Sequence, residues 1–413
     1  MKKYHILFNK LAVCLLLIGT ASLYCCKKTD GYNQPSSDDL TKPGIITDVK
    51  VDNFNGGSHI TYKLPNSENL LYVLAQYKIN GEVSRETKSS YYSDSITVNG
   101  FAESKEYEVN LYAVSRTEIK SDPVTVKVNP DTPIYRLVRN TVALNPDFGG
   151  MNVTALNPKR EPVGLIILIK DRLTSTMDIV DQYYTESDSI SYSLRGLDTV
   201  AKDFGVYIRD RFGNISDTLG QQISPLYETL LDKSKFSPYR LPNDNAIAYG
   251  WELPNLWNGN TSSFSTGWHT APGGPLPVIT TFGIGVSAKL SRFVLWERAN
   301  EFAYSHGNPR VFSLWGSDED APRDILLPRS SPEGTVVGDW VNLGNFVFPN
   351  PPSGLPPTAI NENDRLFVAN GVSFNVPIAS PKVKFIRLCI AETWSRGDFA
   401  HLIEMSLYGD PNQ

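Results

Sequence analysis

The chain has 413 residues, of which 41% are hydrophobic and 20% charged, with a net charge of −5. That much apolar material builds real cores and excludes wholesale disorder, and at roughly 150 residues per domain the length allows two or three domains. A mildly acidic chain without clustered Lys and Arg excludes nucleic acid as the main partner, because phosphate neutralisation needs cations. One long apolar run, at 11–23, excludes a polytopic membrane protein.

Lys2, Lys3 and Lys10 precede that run. A basic segment followed by a short apolar core is an export signal, too short to span a bilayer comfortably. Removing residues 1–25, which hold three lysines and no acid, shifts the net charge to −8. The stretch Leu23-Tyr24-Cys25-Cys26, followed by Lys27-Lys28, resembles a bacterial lipoprotein signal. The resemblance implies cleavage after residue 25 and lipid on Cys26, with Cys25 the second candidate; an ordinary signal with incidental cysteines is the competing reading. Diacylation supplies the two chains that stable anchoring needs. Residues 26–42 then form the anchor and a polar tether. Cys14 and Cys25 leave with the signal and Cys26 takes the lipid, so only Cys389 remains, in the apolar run 385–390. It is read as a core residue, and no intrachain disulfide is expected.

From 43 to 129, short β-rich runs are expected at 46–54, 59–64, 70–79, 95–98 and 107–114, with turns at Asn80-Gly81 and Asn99-Gly100. Several strands at this spacing indicate a β-sandwich. Tyr107-x-Val109-x-Leu111-x-Ala113, then Ser121-Asp122-Pro123, resembles the F–G region of fibronectin type III domains, which implies a tyrosine corner at Tyr107. Residues 130–227 repeat this unit. Segment 105–109 aligns with 202–206, 94–96 with 188–190, and 121–122 with 216–217, all at offsets between 94 and 97. Residues 129–133 are the linker, 164–170 a central strand, and 209–214 a charged hairpin read as a solvated turn.

After residue 228 the character changes, and all seven tryptophans lie beyond it. Strands are expected at 278–282, 289–296, 310–315, 340–347, 383–391 and 402–408, with a short turn near 230–236 and long Gly/Pro-rich loops between. The early loop Asn255-Leu256-Trp257-Asn258-Gly259-Asn260-Thr261 precedes Trp268. Leu290-Ser291-Arg292-Phe293-Val294-Leu295-Trp296-Glu297-Arg298, Asn308-Pro309-Arg310-Val311-Phe312-Ser313-Leu314-Trp315-Gly316-Ser317 and Ile403-Glu404-Met405-Ser406-Leu407-Tyr408-Gly409 follow in order. Together they resemble discoidin, or coagulation factor 5/8 type C, domains of the galactose-binding type. The fold class read from the whole is all-β: two tandem Ig/fibronectin-III-like sandwiches (43–129 and 130–227) followed by a discoidin-like jelly-roll β-sandwich (228–413). This layout resembles Bacteroidetes surface lipoproteins carried with polysaccharide-utilisation systems.

Beyond Cys25-Cys26 the sequence carries no cysteine pair, and it has no Gly-x-Ser-x-Gly, His-Glu-x-x-His or phosphate-binding glycine loop. Asp318-Glu319-Asp320 reads as a solvated loop. His269, His306 and His401 lack metal-ligand spacing and read as surface or packing residues. A non-catalytic protein is expected.

Sugars pack a C–H face on aromatic rings and need planar polar partners, and loops on a rigid β scaffold present both. Two loops, 300–306 and 393–399, offer the candidate ligand-binding set Trp394, Arg396, Asp398, Phe399, Tyr304 and His306; the discoidin resemblance places both at the ligand end. Trp394 is equally read as a core plug, whereas Trp296 and Trp315 are read as core residues. The resemblance also implies a structural Ca²⁺ held by Asn255, Asn258, Asn260 and Glu404. Asn258 and Asn260 stand where acids are common, which removes charge from such a site.

The expected function is that of a non-catalytic glycan-binding lipoprotein on the outer membrane, exposed at the cell surface. Its partners would be an oligosaccharide and an outer-membrane transporter complex. The alternative is a structural or protein-interaction lipoprotein that docks an outer-membrane partner.

Overall fold

The computed structural model describes residues 37–262 and 264–412. The export signal, Cys25 and Cys26 lie outside the described residues. Among those described, no helix is long and apolar enough to cross a membrane. The chain is all-β, as its patterning predicts.

Seven strands come first: β1 (Thr47–Phe54), β2 (Gly57–Lys63), β3 (Leu70–Lys78), β4 (Ser84–Ser90), β5 (Ser95–Asn99), β6 (Tyr107–Ser115) and β7 (Val124–Val128). They make two antiparallel sheets, β1-β2-β5 and β4-β3-β6-β7. Alternate side chains of β6, Val109, Leu111 and Ala113, meet Val73, Ala75 and Tyr77 of β3 and Ile60, Ile96 and Val98 of the facing sheet. This is the period-2 burial that packs two sheets face to face. The Tyr107 hydroxyl accepts the Glu103 N–H at 3.1 Å, a tyrosine corner.

A short helix α1 (Ile134–Arg139) starts at Pro133, whose fixed φ suits a helix N-terminus. Then come β8 (Ala143–Asp147), β9 (Gly150–Leu156), β10 (Val163–Lys170), β11 (Met177–Thr185), β12 (Ser189–Leu194), β13 (Lys202–Asp210) and β14 (Leu219–Ile223). The sheets are β12-β9-β8 and β11-β10-β13-β14, with apolar β10 in an inner position. The internal repeat reappears as matched hydrogen bonds. Ser121 Oγ accepts Ala113 N–H at 3.0 Å and donates to the Asp122 carbonyl at 2.8 Å. Ser216 Oγ does the same with Ile208 (2.9 Å) and Asp217 (2.7 Å).

The 209–214 hairpin is not the solvated turn its charges suggest. Asp210 accepts the N–H groups of Phe212 (2.8 Å) and Asn214 (2.9 Å), which closes the turn and frees its other side chains. Asn214 Nδ2 then donates to the Gly100 carbonyl at 2.9 Å. The Phe212 ring lies over Gly100, where a Cβ would come within 2.9 Å of it. The turn therefore docks one sandwich on the other. Tyr135 adds a 2.7 Å bond to the Ala102 carbonyl.

The remaining strands are β15 (Thr229–Leu230), β16 (Ser237–Pro238), β17 (Trp268–His269), β18 (Val278–Trp296), β19 (Pro309–Ser317), β20 (Val336–Val337), β21 (Trp340–Val347), β22 (Val372–Asn375), β23 (Val383–Thr393), β24 (His401–Leu402) and β25 (Glu404–Asp410). A second helix, α2 (Glu362–Ala369), carries a capping box between Asn361 and Asp364. The two runs expected at 278–282 and 289–296 form one 19-residue strand, β18. Gly285, at φ +73°, and a register irregularity between Gly283 and Ala288 bend it. Its first half pairs with β23 and its second with β25, so one strand serves both halves of this larger sandwich. Cys389 is buried with Trp315 and Trp340, and burial pushes its thiol up to about 11. Arg387, fully buried in the same layer, lies 3.3 Å from Asp244 and 3.2 Å from Asp324.

The second sandwich meets the C-terminal one through charge. Arg195 reaches Asp147 (3.3 Å), Glu228 (3.2 Å) and Asn375 Oδ1 (3.2 Å). Glu228 also receives Arg292 Nε at 3.2 Å and the Ser291 hydroxyl at 2.5 Å.

Candidate functional site

At one end of the C-terminal sandwich, three connections converge. Strands β17 and β24 place His269 directly opposite His401. The 297–308 connection between β18 and β19 brings His306 beside them. Asn308 holds that connection closed: its Nδ2 donates to the carbonyls of Arg298 (2.8 Å) and Phe302 (2.9 Å), and its Oδ1 accepts the Arg298 N–H (3.1 Å). The 394–400 connection is tied on by the Trp394 N–H to the Asn308 carbonyl (3.0 Å) and the Ser395 N–H to the His306 carbonyl (3.1 Å). A side chain at Gly307 would come within 2.8 Å of Phe399 and 2.9 Å of His401, so only glycine permits this approach.

The backbone here is strained. Tyr249, Asn300, Tyr304, His306 and Arg396 all have φ between +53° and +60°, more than half of the non-glycine residues of the described chain in that region. Such conformations gather where structure serves a function.

The side chains form an aromatic and imidazole stack. Phe399 lies parallel to His269 (5.4 Å, 5°) and edge-on to His306 (4.9 Å). Trp251 and Tyr249 meet His269 edge-on at 5.9 and 4.9 Å, and Tyr249 is 70% exposed. The Arg298 guanidinium sits 3.6 Å from the Phe302 ring centre and 5.0 Å from that of Trp251. Its Nε is buried without a hydrogen-bond partner, and Glu301 acts on it only through its charge. Burial lowers its pKa. Burial also lowers that of all three histidines, with Arg298 adding to the effect on each, so the rings are neutral near pH 7.

Of the six residues expected to bind ligand, Phe399 and His306 belong to this cluster. Tyr304 does not face outward as expected: it is 2% exposed and its ring fills the core between Phe348 and Trp394. Trp394 is half-buried against Tyr304, with the Arg310 guanidinium 5.2 Å above it and its Nε1 buried; the core-plug reading describes it better. Arg396 is exposed, 3.6 Å from Glu392. Asp398 accepts the Gly273 N–H at 3.0 Å. Trp251, Tyr249, Arg298, His269 and His401 were not singled out for binding by their spacing, because they meet only through long-range pairing.

The residues implied for Ca²⁺ do not fit a cation. Glu404 is fully buried, and its two oxygens accept from Lys233 Nζ (2.6 Å) and from the Gly259 N–H (2.9 Å). Asn255 Nδ2 donates to the Gly267 carbonyl, while Asn258 and Asn260 oxygens accept backbone N–H groups of their own loop. Donors surround the carboxylate where a hard cation needs oxygens. The Lys233 ammonium supplies the positive charge, and burial still raises the Glu404 pKa against it.

Three families match segments of the chain, each described as a domain of unknown function: DUF4959 over 43–130, DUF5126 over 131–234 and DUF5000 over 257–409. No curated protein matches. Among solved structures, the chain is similar to a SusE-like protein, BT2857, at 27% identity over 68% of this chain and 100% of that one, TM-score 0.41. It is also similar to the C-terminal domain of a chitobiase from Bacteroides fragilis (18% identity, 45% and 100% covered, TM-score 0.30). A third is GH31 CBM32-2 bound to GalNAc (12% identity, 42% and 94% covered, TM-score 0.26).

Proposed function

We propose that the chain is a non-catalytic glycan-binding protein, and that it is a surface lipoprotein of a polysaccharide-utilisation system, anchored to the outer membrane through Cys26. The observation that carries the glycan reading is the Arg298 guanidinium, cupped by Trp251 and Phe302 beside the Phe399–His269 stack. Exposed and half-exposed rings offer apolar faces for sugar C–H groups, at little rotamer entropy. Arg298 offers planar donors to hydroxyls, and the Nε2 lone pair of His269 an acceptor. A shallow site of this kind gives affinities of roughly mM to μM, and many copies on one membrane raise retention through avidity. In this reading the two sandwiches are spacers.

A second reading, a docking protein for an outer-membrane partner, is favoured by β11, an edge strand with Leu173, Met177, Ile179 and Val180 exposed at and beside it. A glycan array and affinity gels with the purified protein separate the two. Retention on a polysaccharide, weakened roughly tenfold or more by Arg298→Ala or Trp251→Ala, supports the glycan reading. Silence across the panel, with a partner captured through β11, replaces it.

A further inference from the structure

The three histidines do more than pack. Their ring nitrogens, one from each residue, all lie within 4.8 Å of one another, although they come from β17, the 297–308 connection and β24. His306 Nδ1 is 2.9 Å from His401 Nε2, and the Gly307 N–H points at the same Nε2 from 3.2 Å. Two donors therefore compete for one lone pair, while His401 Nδ1 is buried with no partner. Because Nε2 is the acceptor, His401 carries its proton on Nδ1 and keeps Nε2 as the lone pair facing His306. His269 is set up differently: its Nδ1 is 2.7 Å from the Thr270 carbonyl, which fixes the proton there and leaves Nε2 as a lone pair. A carbonyl behind the ligating imidazole is the usual arrangement at metal centres.

We infer that His269, His306 and His401 form a binding site for a divalent transition metal of the Zn²⁺, Ni²⁺ or Cu²⁺ class. Imidazole nitrogens suit these ions and not Ca²⁺ or Mg²⁺. At metal–nitrogen distances of about 2.0–2.1 Å, tetrahedral ligands stand roughly 3.3 Å apart. Binding thus widens the His306–His401 contact slightly and draws His269 inward, and the metal replaces the proton shared between the first two rings. Half-exposed His306 gives access from solvent. Three protein ligands leave one position open. Opposing the ion is the positive charge of Arg298, which acts on all three rings, while Glu301 is the acid that acts on Arg298. Removing the Arg298 charge therefore tightens the site.

This goes beyond the glycan reading and is tested without any sugar. The purified protein, stripped with EDTA and dialysed, is titrated with ZnCl₂ and then NiCl₂ by calorimetry, with its thermal midpoint followed in parallel. The expected result is one equivalent bound, a metal-dependent rise in the midpoint, and affinity lost roughly tenfold or more in His306→Ala. His269→Ala behaves alike should His306→Ala fold poorly. His59→Ala, on a distant strand, binds as the unaltered chain, and Arg298→Gln binds more tightly. Equal binding by the unaltered chain, His306→Ala and His269→Ala, or no equivalent bound at up to about 1 mM metal, overturns the site.

Discussion

Lys233 Nζ lies 2.6 Å from Oε1 of Glu404 and 2.7 Å from the Ser406 hydroxyl, so an ammonium neutralises a carboxylate that has no contact with solvent. Removing one member of a buried pair strands the other. Lys233→Met is expected to lose about 3–5 kcal/mol of stability, and Glu404→Gln in the same chain to restore most of it. Urea unfolding of the two variants measures both terms.

The same pair bears on calcium. Because N–H donors and the ammonium already converge on Glu404, about 1 mM Ca²⁺ is expected to leave the thermal midpoint within about 1 °C of its value in EDTA. A larger calcium-dependent rise would show that the asparagine oxygens do turn inward.

How much of this was legible in the sequence depends on range. Alternation made β6 and the apolar run of β10 plain, and the Ser121 and Ser216 bonds explain why a repeat persists in such diverged text. Strand β4 is polar throughout because it is a solvated edge, and no hydrophobic period announces it. The bend at Gly285 made one strand look like two. At the site, Phe399 and His306 were found because they sit in loops. Arg298 and the histidine trio were missed as a group because β17, β18 and β24 bring them together across more than 100 residues. Tyr304 was misplaced for the opposite reason: a loop aromatic can turn inward at a positive φ.

Stability will depend on pH from both sides. Burial alone raises the Glu297 carboxyl well above its usual range, and neither of its oxygens has a partner. The folded state keeps that proton where the unfolded chain loses it, so stability falls as pH rises from about 4.5, by up to about 1.4 kcal/mol per unit. The three histidines act in reverse. They are held neutral, the unfolded chain takes up protons below about 6.5, and stability falls as pH drops through that value. Three histidines outweigh one carboxyl below about 6.5, so a thermal scan across pH 4–9 is expected to show its maximum just above that value. Glu297→Met should raise the midpoint at pH 8 and gain less at pH 5.

Fully buried Arg387 holds Asp244 and the part-buried Asp324 together, and also donates to the Ile325 carbonyl at 2.8 Å. Arg387→Met leaves both acids without their cation. A loss of about 3–5 kcal/mol is expected, with Arg387→Lys losing less; chemical denaturation checks the order.

Arg195 joins the second sandwich to the C-terminal one through Asp147, Glu228 and Asn375. Arg195→Ala is expected to change global stability modestly, by roughly 1–2 kcal/mol, and to loosen the joint. Small-angle scattering should show a larger radius of gyration and faster proteolysis near residue 228. Unchanged scattering would mean that Glu228 and Arg292 hold the joint alone.

The docking of Phe212 over Gly100 has an evolutionary reach. A ring borrowed from one sandwich completes the surface of its neighbour, so the two cannot be shuffled independently. Cutting between them exposes a hydrophobic face on each half, and any recombination event that separates the pair inherits two sticky fragments. The intact pair is thus the smallest unit in which both surfaces stay covered.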